Sequence, residues 1–315
     1  MTALDFGLLI HSTPRGGTVP DMAATNERIL QAAVEHDLSV WVVDHFQFDQ
    51  QFLLECFAFL AHTAGRYPSL RYGTLVLGQS YRNPALTAKI AASLDWLTGG
   101  RFILGIGAGW KEDEYRAYGY DFPSPRVRLE QLNEAVRICK LLWQGGPATF
   151  EGKHYRIAEA RCEPHPERPP VLMIGGGGER RTLRVVAEHA DWWNADYYTP
   201  EDYARKLEVL RGYCRELGRD PDEITPSYYA GITVSHDPAK LVRRLPFGNY
   251  RQMHAIAGDP DEVAAQLEEF ARIGARLVQI NFLDFPRPDS LDLFLREVLP
   301  RFTSRVVGQS GGRAV

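Results

Sequence analysis

The sequence predicts a (β/α)8 barrel, a TIM barrel, built as one domain from residues 1–307. Three observations lead there. Eight short apolar stretches alternate with eight helical ones, and strands that alternate with helices pair in parallel. The apolar stretches are hydrophobic at consecutive positions, as in strands covered on both faces. The length, 315 residues, suits eight such units with no long linker between them. An open doubly wound sheet is the other arrangement of the same pattern.

Residues 4–10 are the first strand, and a helix over 21–36 presents Ile29, Leu30, Ala33 and Val34 on one face. The second strand, 39–43, ends in Asp44-His45-Phe46, and a helix spans 53–64. The third strand, 70–77, leads through Gly78-Gln-Ser-Tyr-Arg-Asn-Pro84 into a helix over 84–97. Asn83 suits its N-cap and Pro84 its first turn. The fourth strand is Phe102-Ile-Leu-Gly-Ile-Gly107, with Ala108 and Gly109 after it. A strand end without Cβ atoms lets something flat approach the backbone.

Ser124-Pro125 starts the next helix by the same cap-then-proline logic, and Glu151-Gly-Lys153 is the tip of a surface hairpin. The fifth strand, 170–174, closes in Gly175-Gly-Gly-Gly178, and a helix over 179–189 follows. The sixth strand is 191–194, and its helix, 201–217, stops at Gly218. The seventh strand is 224–234, the eighth 276–282. Asp259-Pro260 caps the helix between them, and residues 291–302 are the last helix. Insertions follow strands four and seven. The first, 110–123, is aromatic; the second, 236–258, reads as irregular. Both fall on the C-terminal side of their strands, where such barrels do chemistry. The tail, 308–315, is expected to be disordered.

Hydrophobic content of 44%, charged content of 24% and a net charge of −4 describe an ordinary globular protein with no nucleic-acid footprint. Cys56, Cys139, Cys162 and Cys214 lack metal-ligand spacing and read as reduced thiols. No apolar run is long enough to span a membrane, and no signal peptide is evident. The expectation is a cytoplasmic protein with a small-molecule substrate and no metal.

Residues just past the strand ends converge on one mouth: His11, Asp44-His45, Gly78-Gln79, Gly107-Ala-Gly109, the 175–178 turn, Asn194 and Phe282-Leu-Asp284. His45 is the strongest acid–base candidate, and it can equally cap a strand end. Asp44 either orients His45 or serves a local helix N-terminus. The 175–178 turn, with Arg180 and Arg181 behind it, suits a phosphate. No Gly-Lys-Ser/Thr follows it, so it is no NTPase P-loop, and Trp110 stands where a dinucleotide fingerprint needs glycine. Asp113 and Glu114 read as a solvated face. Neither HExxH nor Gly-x-Ser-x-Gly occurs.

Five segments in order resemble the bacterial luciferase-like flavin and deazaflavin oxidoreductases. They are Val42-Val-Asp-His-Phe46; Gly73-Thr-Leu-Val76 with Tyr81-Arg-Asn-Pro84; Leu94-Asp-Trp-Leu-Thr-Gly-Gly-Arg-Phe102 into Leu104-Gly-Ile-Gly-Ala-Gly-Trp110; residues 128–143 with Phe150-Glu-Gly-Lys-His-Tyr155; and Pro169-Pro-Val-Leu-Met-Ile-Gly-Gly-Gly-Gly178 with Ala190-Asp-Trp-Trp-Asn194. The resemblance implies the same barrel, a ring across its mouth and the cofactor phosphate near Gly176, Gly177 and Gly178. It implies a non-prolyl cis peptide at Leu75–Val76 under the ring. Asp44-His45-Phe46-Gln47 is similar to the branch that uses the 8-hydroxy-5-deazaflavin coenzyme F420, with His45 as acid or base. The expected cofactor ligands are therefore Asp44, Leu75, Val76, Gly78, Gly107, Ala108, Gly109 and Gly175 to Gly178. His11, Trp110 and Asn194 are the expected substrate pocket. That branch's sugar-phosphate dehydrogenases have an acidic residue at Trp110 and a tryptophan at Asp49, so glucose 6-phosphate is not carried over. The other cofactor reading is FMN in a monooxygenase using oxygen. The family also implies a homodimer.

Overall fold

The computed structural model describes residues 4–48, 50–242, 244–247 and 251–303. Asp49 and the tail expected to be disordered, 308–315, lie outside the described residues. Eight parallel strand positions close into a barrel. They are β1 (Asp5–Leu9), β2 (Ser39–Val42), β3 with β4 (Tyr72–Thr74 and Leu77–Gly78), β5 (Phe102–Gly107), β8 (Val171–Gly175), β9 (Trp192–Asp196), β10 (Thr225–Val234) and β13 (Leu277–Phe282). Closure is made by β13, which pairs with β1 on one side and β10 on the other.

Helices cover the outside: α1 (Val19–Glu35), α2 (Cys56–Arg66), α3 (Pro84–Leu97), α4 (Glu112–Ala117), α5 (Pro125–Trp143), α6 (Thr182–His189), α7 (Pro200–Glu216) and α8 (Pro260–Ile273). The chain ends in α9 (Asp289–Leu293), a π-helical turn over Phe294–Val298, and α10 (Pro300–Thr303). Among the described residues no helix is long and apolar enough to cross a membrane.

The starts of these helices follow local chemistry. Asn83 accepts the Ala85 N–H at 2.9 Å ahead of α3, and Asp259 forms a capping box with Glu262 ahead of α8. Ser124 takes the N-cap position of α5 without a side-chain bond, so only its proline partner acts as expected. Helix α6 begins at Thr182, three residues later than the sequence suggests, because residues 179–181 finish the glycine turn first.

Inside the barrel, Trp41 is fully buried and fills the space between β1 and β3. A Cβ on Gly7 or on Gly73 would fall 2.2 Å from its indole. Those two glycines are therefore sites of close packing, and the ring joins Leu9, Leu75, Ile103, Met173 and Leu277 in one buried cluster. Strand three is broken where the Leu75–Val76 peptide is cis, the position the resemblance indicated.

Two other features differ from the pattern read off the sequence. Within 236–258 the described residues include two strands: β11 (Arg244–Phe247) and β12 (Arg251–Gly258) pair antiparallel, and β12 lies parallel to the upper half of β10. Strand β10 has ten residues, long enough to pair with β9 below and β12 above along one edge. The hairpin around Gly152 is present as β6 (Ala148–Glu151) and β7 (Arg156–Ala160).

Candidate active site

His45 lies in the loop after β2, at the C-terminal end of the barrel. Its Nδ1–H donates to Glu114 Oε2 at 2.9 Å. Glu114 has no exposed surface and comes from α4, in the segment after β5. Its other oxygen accepts the Gln47 N–H at 3.2 Å and the Phe46 N–H. One carboxylate thus holds both the imidazole and the backbone that carries it. Burial pushes the Glu114 carboxyl up, but the bonds from His45 and Phe46 outweigh it and leave the carboxyl below its ordinary value. A carboxylate on Nδ1 orients the ring and places a proton on that nitrogen, so that Nε2 is the atom left for proton transfer.

Aromatic side chains frame this imidazole. Phe48 meets its edge at 5.3 Å and Trp110 at 5.7 Å, both nearly perpendicular. Lys111 lies over Phe48 and pairs with the exposed Asp113. The adjacent carboxylates are therefore unlike each other. Asp113 faces solvent as the sequence suggests, whereas Glu114 was missed. A short helix with three acids in its first turn gives no local sign that one of them turns inward.

Asp44 does neither of the two things the sequence left open. Its carboxylate takes both arms of Arg82 at 2.9 Å and the Gly78 N–H at 3.1 Å. Its side chain has no exposed surface, so its oxygens tie strands two and three together rather than reaching a ligand. Arg82 is stacked near Phe57 and Phe46 and also pairs with Glu55, the N-cap of α2.

The glycines at the strand ends are occupied in a way the sequence did not reveal. A Cβ on Gly107 or Gly175 would fall 2.9 or 2.8 Å from Val76 Cγ2. Val76 fills the gap between β5 and β8, and Leu75 packs in the barrel interior. A Cβ on Gly109 would lie 2.0 Å from the Tyr115 hydroxyl. These glycines admit protein side chains, and the half-buried Val76 is what they present to the mouth. Ala108 is half-buried beside them. Gly78 is likewise closed over by the Tyr81 ring. In the aromatic insertion, Tyr115 is core and Tyr118 is exposed.

The 175–178 turn presents backbone donors of the kind an anion uses. Gly176 has φ +115°, and among the described residues no acceptor meets the N–H groups of Gly177 and Gly178. Arg181, the N-cap residue of α6, provides no side-chain acceptor for the helix that starts there. Behind the turn, the buried Lys206 of α7 donates to the Gly177 carbonyl at 2.7 Å and to Glu179 at 3.3 Å. A phosphate fits this donor set: free amides, a helix N-terminus and a cation behind them. Lys206 had no sequence signal, since it lies one helix later in the chain.

Two expected pocket residues are enclosed instead. Asn194 donates to Ser227 and Gln279, both at 3.1 Å, in a polar layer inside the barrel. Its amide is committed to that layer and does not open to the mouth. His11 is buried, its ring stacked on Phe285 at 3.8 Å, and its backbone N–H donates to the Asn26 side-chain oxygen. Burial, then the charge of Arg15, holds its pKa well below the ordinary 6.5, and burial likewise lowers His189 to about 4. Both rings are neutral in the folded state and charge on unfolding once the pH is below 6.5. The unfolded chain then binds more protons, so stability falls as pH falls. Below pH 6.5 the cost per ring steepens from about 0.7 toward a limit of about 1.4 kcal/mol per pH unit. Urea midpoints across that range check this, and His189→Asn should reduce the slope by about that one-ring amount. A flat profile would contradict it.

Comparison with known proteins agrees with the architecture. Residues 6–254 match the family described as luciferase-like monooxygenase. A relative from Kineococcus radiotolerans, named F420-dependent glucose-6-phosphate dehydrogenase, is 30% identical over 75% of this chain and 80% of its own length. A solved F420-dependent secondary alcohol dehydrogenase in complex with an F420-acetone adduct superposes with TM-score 0.79 at 20% identity, covering 96% of this chain and 99% of that one. EDTA monooxygenase from Chelativorans sp. BNC1 superposes with TM-score 0.78 at 19% identity, covering 97% and 94%.

Proposed function

The chain belongs to the luciferase-like monooxygenase family, as an enzyme among its flavin and deazaflavin oxidoreductases, and from that premise we propose that it is a coenzyme F420-dependent oxidoreductase acting on a small alcohol or carbonyl compound. The observation that carries the reading is the His45–Glu114 pair at the barrel mouth. Oxidising a carbinol removes a hydride from carbon and a proton from oxygen, so a positioned base is required. Nε2 of His45 takes the hydroxyl proton, and in the reverse direction returns it to the carbonyl oxygen. Bound deazaflavin supplies the two-electron acceptor or donor at its C5.

The remaining roles follow from the site. Glu114 holds the ring and balances the imidazolium that forms. Trp110 and Phe48 flank the imidazole and keep water from its edge. Val76 is the surface on which a flat ring rests, and the 175–178 turn with Lys206 holds the phosphate. The names of the Kineococcus relative and of the alcohol dehydrogenase neighbour support alcohol–carbonyl chemistry.

Titration of the protein with coenzyme F420 and with FMN, followed by fluorescence quenching, tests the cofactor. Tighter binding of F420 is expected, together with F420 reduction by a member of a panel of secondary alcohols and aldoses. An FMN preference of about tenfold, 1.4 kcal/mol, would overturn the reading. Oxygen consumption with reduced FMN would establish a monooxygenase instead.

A further inference from the structure

A second polar layer lies above the one that holds Asn194, Ser227 and Gln279. Side chains two residues further along a strand face the same way, one layer nearer the mouth. On β13 that residue is Asn281 and on β10 it is Tyr229. Past the end of β1, His11 follows Leu9 of the buried cluster in the same sense. Arg15, from the loop after β1, lies over this layer, and its Nη1 donates to the Asn281 side-chain oxygen at 3.0 Å. The Asn281 amide nitrogen donates in turn to the Tyr197 hydroxyl at 2.9 Å, and the Tyr197 ring meets Tyr229 edge-on at 4.9 Å. Arg15 and Tyr197 both hold left-handed backbone, φ +50° and +53°, which residues other than glycine keep only where the surroundings impose it.

Arg15 is exposed, and among the described residues no carboxylate pairs with it. Asp196, whose charge reaches both phenols, makes no ion pair with it either. In the layer beneath, the buried Nε2 of His11 has no hydrogen-bond partner. This wall of the mouth therefore carries an unmet charge together with an unmet polar atom. Around the barrel, β1 and β13 stand across from β8 and β5, the strands whose end glycines receive Val76. The neighbour of β1 on the other side is β2, whose loop carries His45. The Arg15 loop is tied to the segment after His45: the Leu54 N–H donates to the Ser12 carbonyl at 3.0 Å and the Thr13 hydroxyl to Gln51 at 2.9 Å.

We propose that Arg15 binds a carboxylate on the substrate, so that the enzyme acts on hydroxy acids and their oxo-acid partners. The proposal rests on the deazaflavin reading above for its redox partner. With a flat ring on Val76 and the carboxylate on Arg15, the carbinol lies between them beside His45. Its C–H bond breaks, the hydride passes to C5 of the oxidised deazaflavin, and the hydroxyl proton passes to His45 Nε2. The carboxylate itself is unchanged. Asn281 uses Nη1 of Arg15, which leaves the edge formed by Nε and Nη2, two parallel donors that match a carboxylate. One guanidinium balances the single charge of a carboxylate and only half that of a phosphate dianion. Its neighbours add no second charge, since burial keeps His11 neutral and Asn281, Tyr197 and Tyr229 are uncharged.

The test compares 2-hydroxybutyrate and 3-hydroxybutyrate with 2-butanol, which has a methyl group in place of the carboxylate. Calorimetric titration of the full chain, which needs no turnover, is expected to show one of the hydroxy acids bound about tenfold or more tighter than the alcohol. Arg15→Gln should erase that gap while its F420 titration matches that of the unaltered chain. Arg15→Lys should keep part of the gap, since it holds the charge without the fork. With oxidised F420 present, the ratio of kcat/KM for acid over alcohol should fall in Arg15→Gln, mainly through KM. Equal affinity for acids and alcohol, or a gap unchanged in Arg15→Gln, overturns the carboxylate site and leaves the deazaflavin reading standing. Glucose 6-phosphate bound tighter than either acid, and lost in Arg15→Gln, assigns the cation to phosphate and overturns the site as well. A carboxylate gap in a chain that binds FMN and not F420 overturns the deazaflavin reading and leaves the site.

Discussion

His45→Ala is expected to lower turnover by about two to four orders of magnitude while leaving cofactor affinity nearly unchanged. The imidazole sits at the barrel mouth partly exposed, and Glu114 holds it through Nδ1 at 2.9 Å. Removing it deletes proton transfer and leaves the phosphate turn and Val76 in place. The neighbouring acids give an internal control. Glu114→Gln should slow turnover by about tenfold or more, since the neutral amide no longer balances an imidazolium. Asp113→Asn, one residue earlier and exposed, should change nothing. Steady-state rates with the active member of the alcohol panel, alongside cofactor titrations, separate these cases. Wild-type turnover in His45→Ala would reduce the histidine to a strand-end cap.

The largest stability loss is expected from Arg82→Ala. That change leaves the Asp44 carboxylate, which has no exposed surface, with only the Gly78 N–H as partner. Breaking a buried pair by removing one member costs about 3–5 kcal/mol, because the remaining charge is desolvated without compensation. Asp44→Asn combined with Arg82→Met removes both charges and should recover part of the loss. The measurement is the free energy of urea unfolding for the single and double variants. A loss below about 1 kcal/mol for Arg82→Ala would mean that water reaches Asp44, so that the pair behaves like an exposed one. Asp44 adjoins His45, so the Arg82→Ala chain should also lose activity before it unfolds.

The barrel was legible from local pattern. Strand and helix periods, Asn83 and Asp259 as caps, and the glycine turn after β8 each declare themselves within a few residues. So did the placing of His45 at the mouth and the open backbone of the 175–178 turn, because a strand end and a run of glycines are local facts. What strand β12 does was not legible. Its residues carry no alternation, and only the extra length of β10 gives them an edge to pair with.

Local pattern in the chain was enough for the barrel, the single mouth at which its loops gather, and the histidine placed there. Which side chains stand around that histidine and behind the 175–178 turn depends on long-range packing. Glu114, which holds His45, and Lys206, which holds the turn, stand 69 and 161 residues from His45 along the chain, at a separation that sequence spacing does not encode. The same carboxylate is a solvated surface group or a buried partner according to what lies over it. Burial is set by contacts between distant segments, and the α4 insertion folding back onto the β2 loop supplies that contact here.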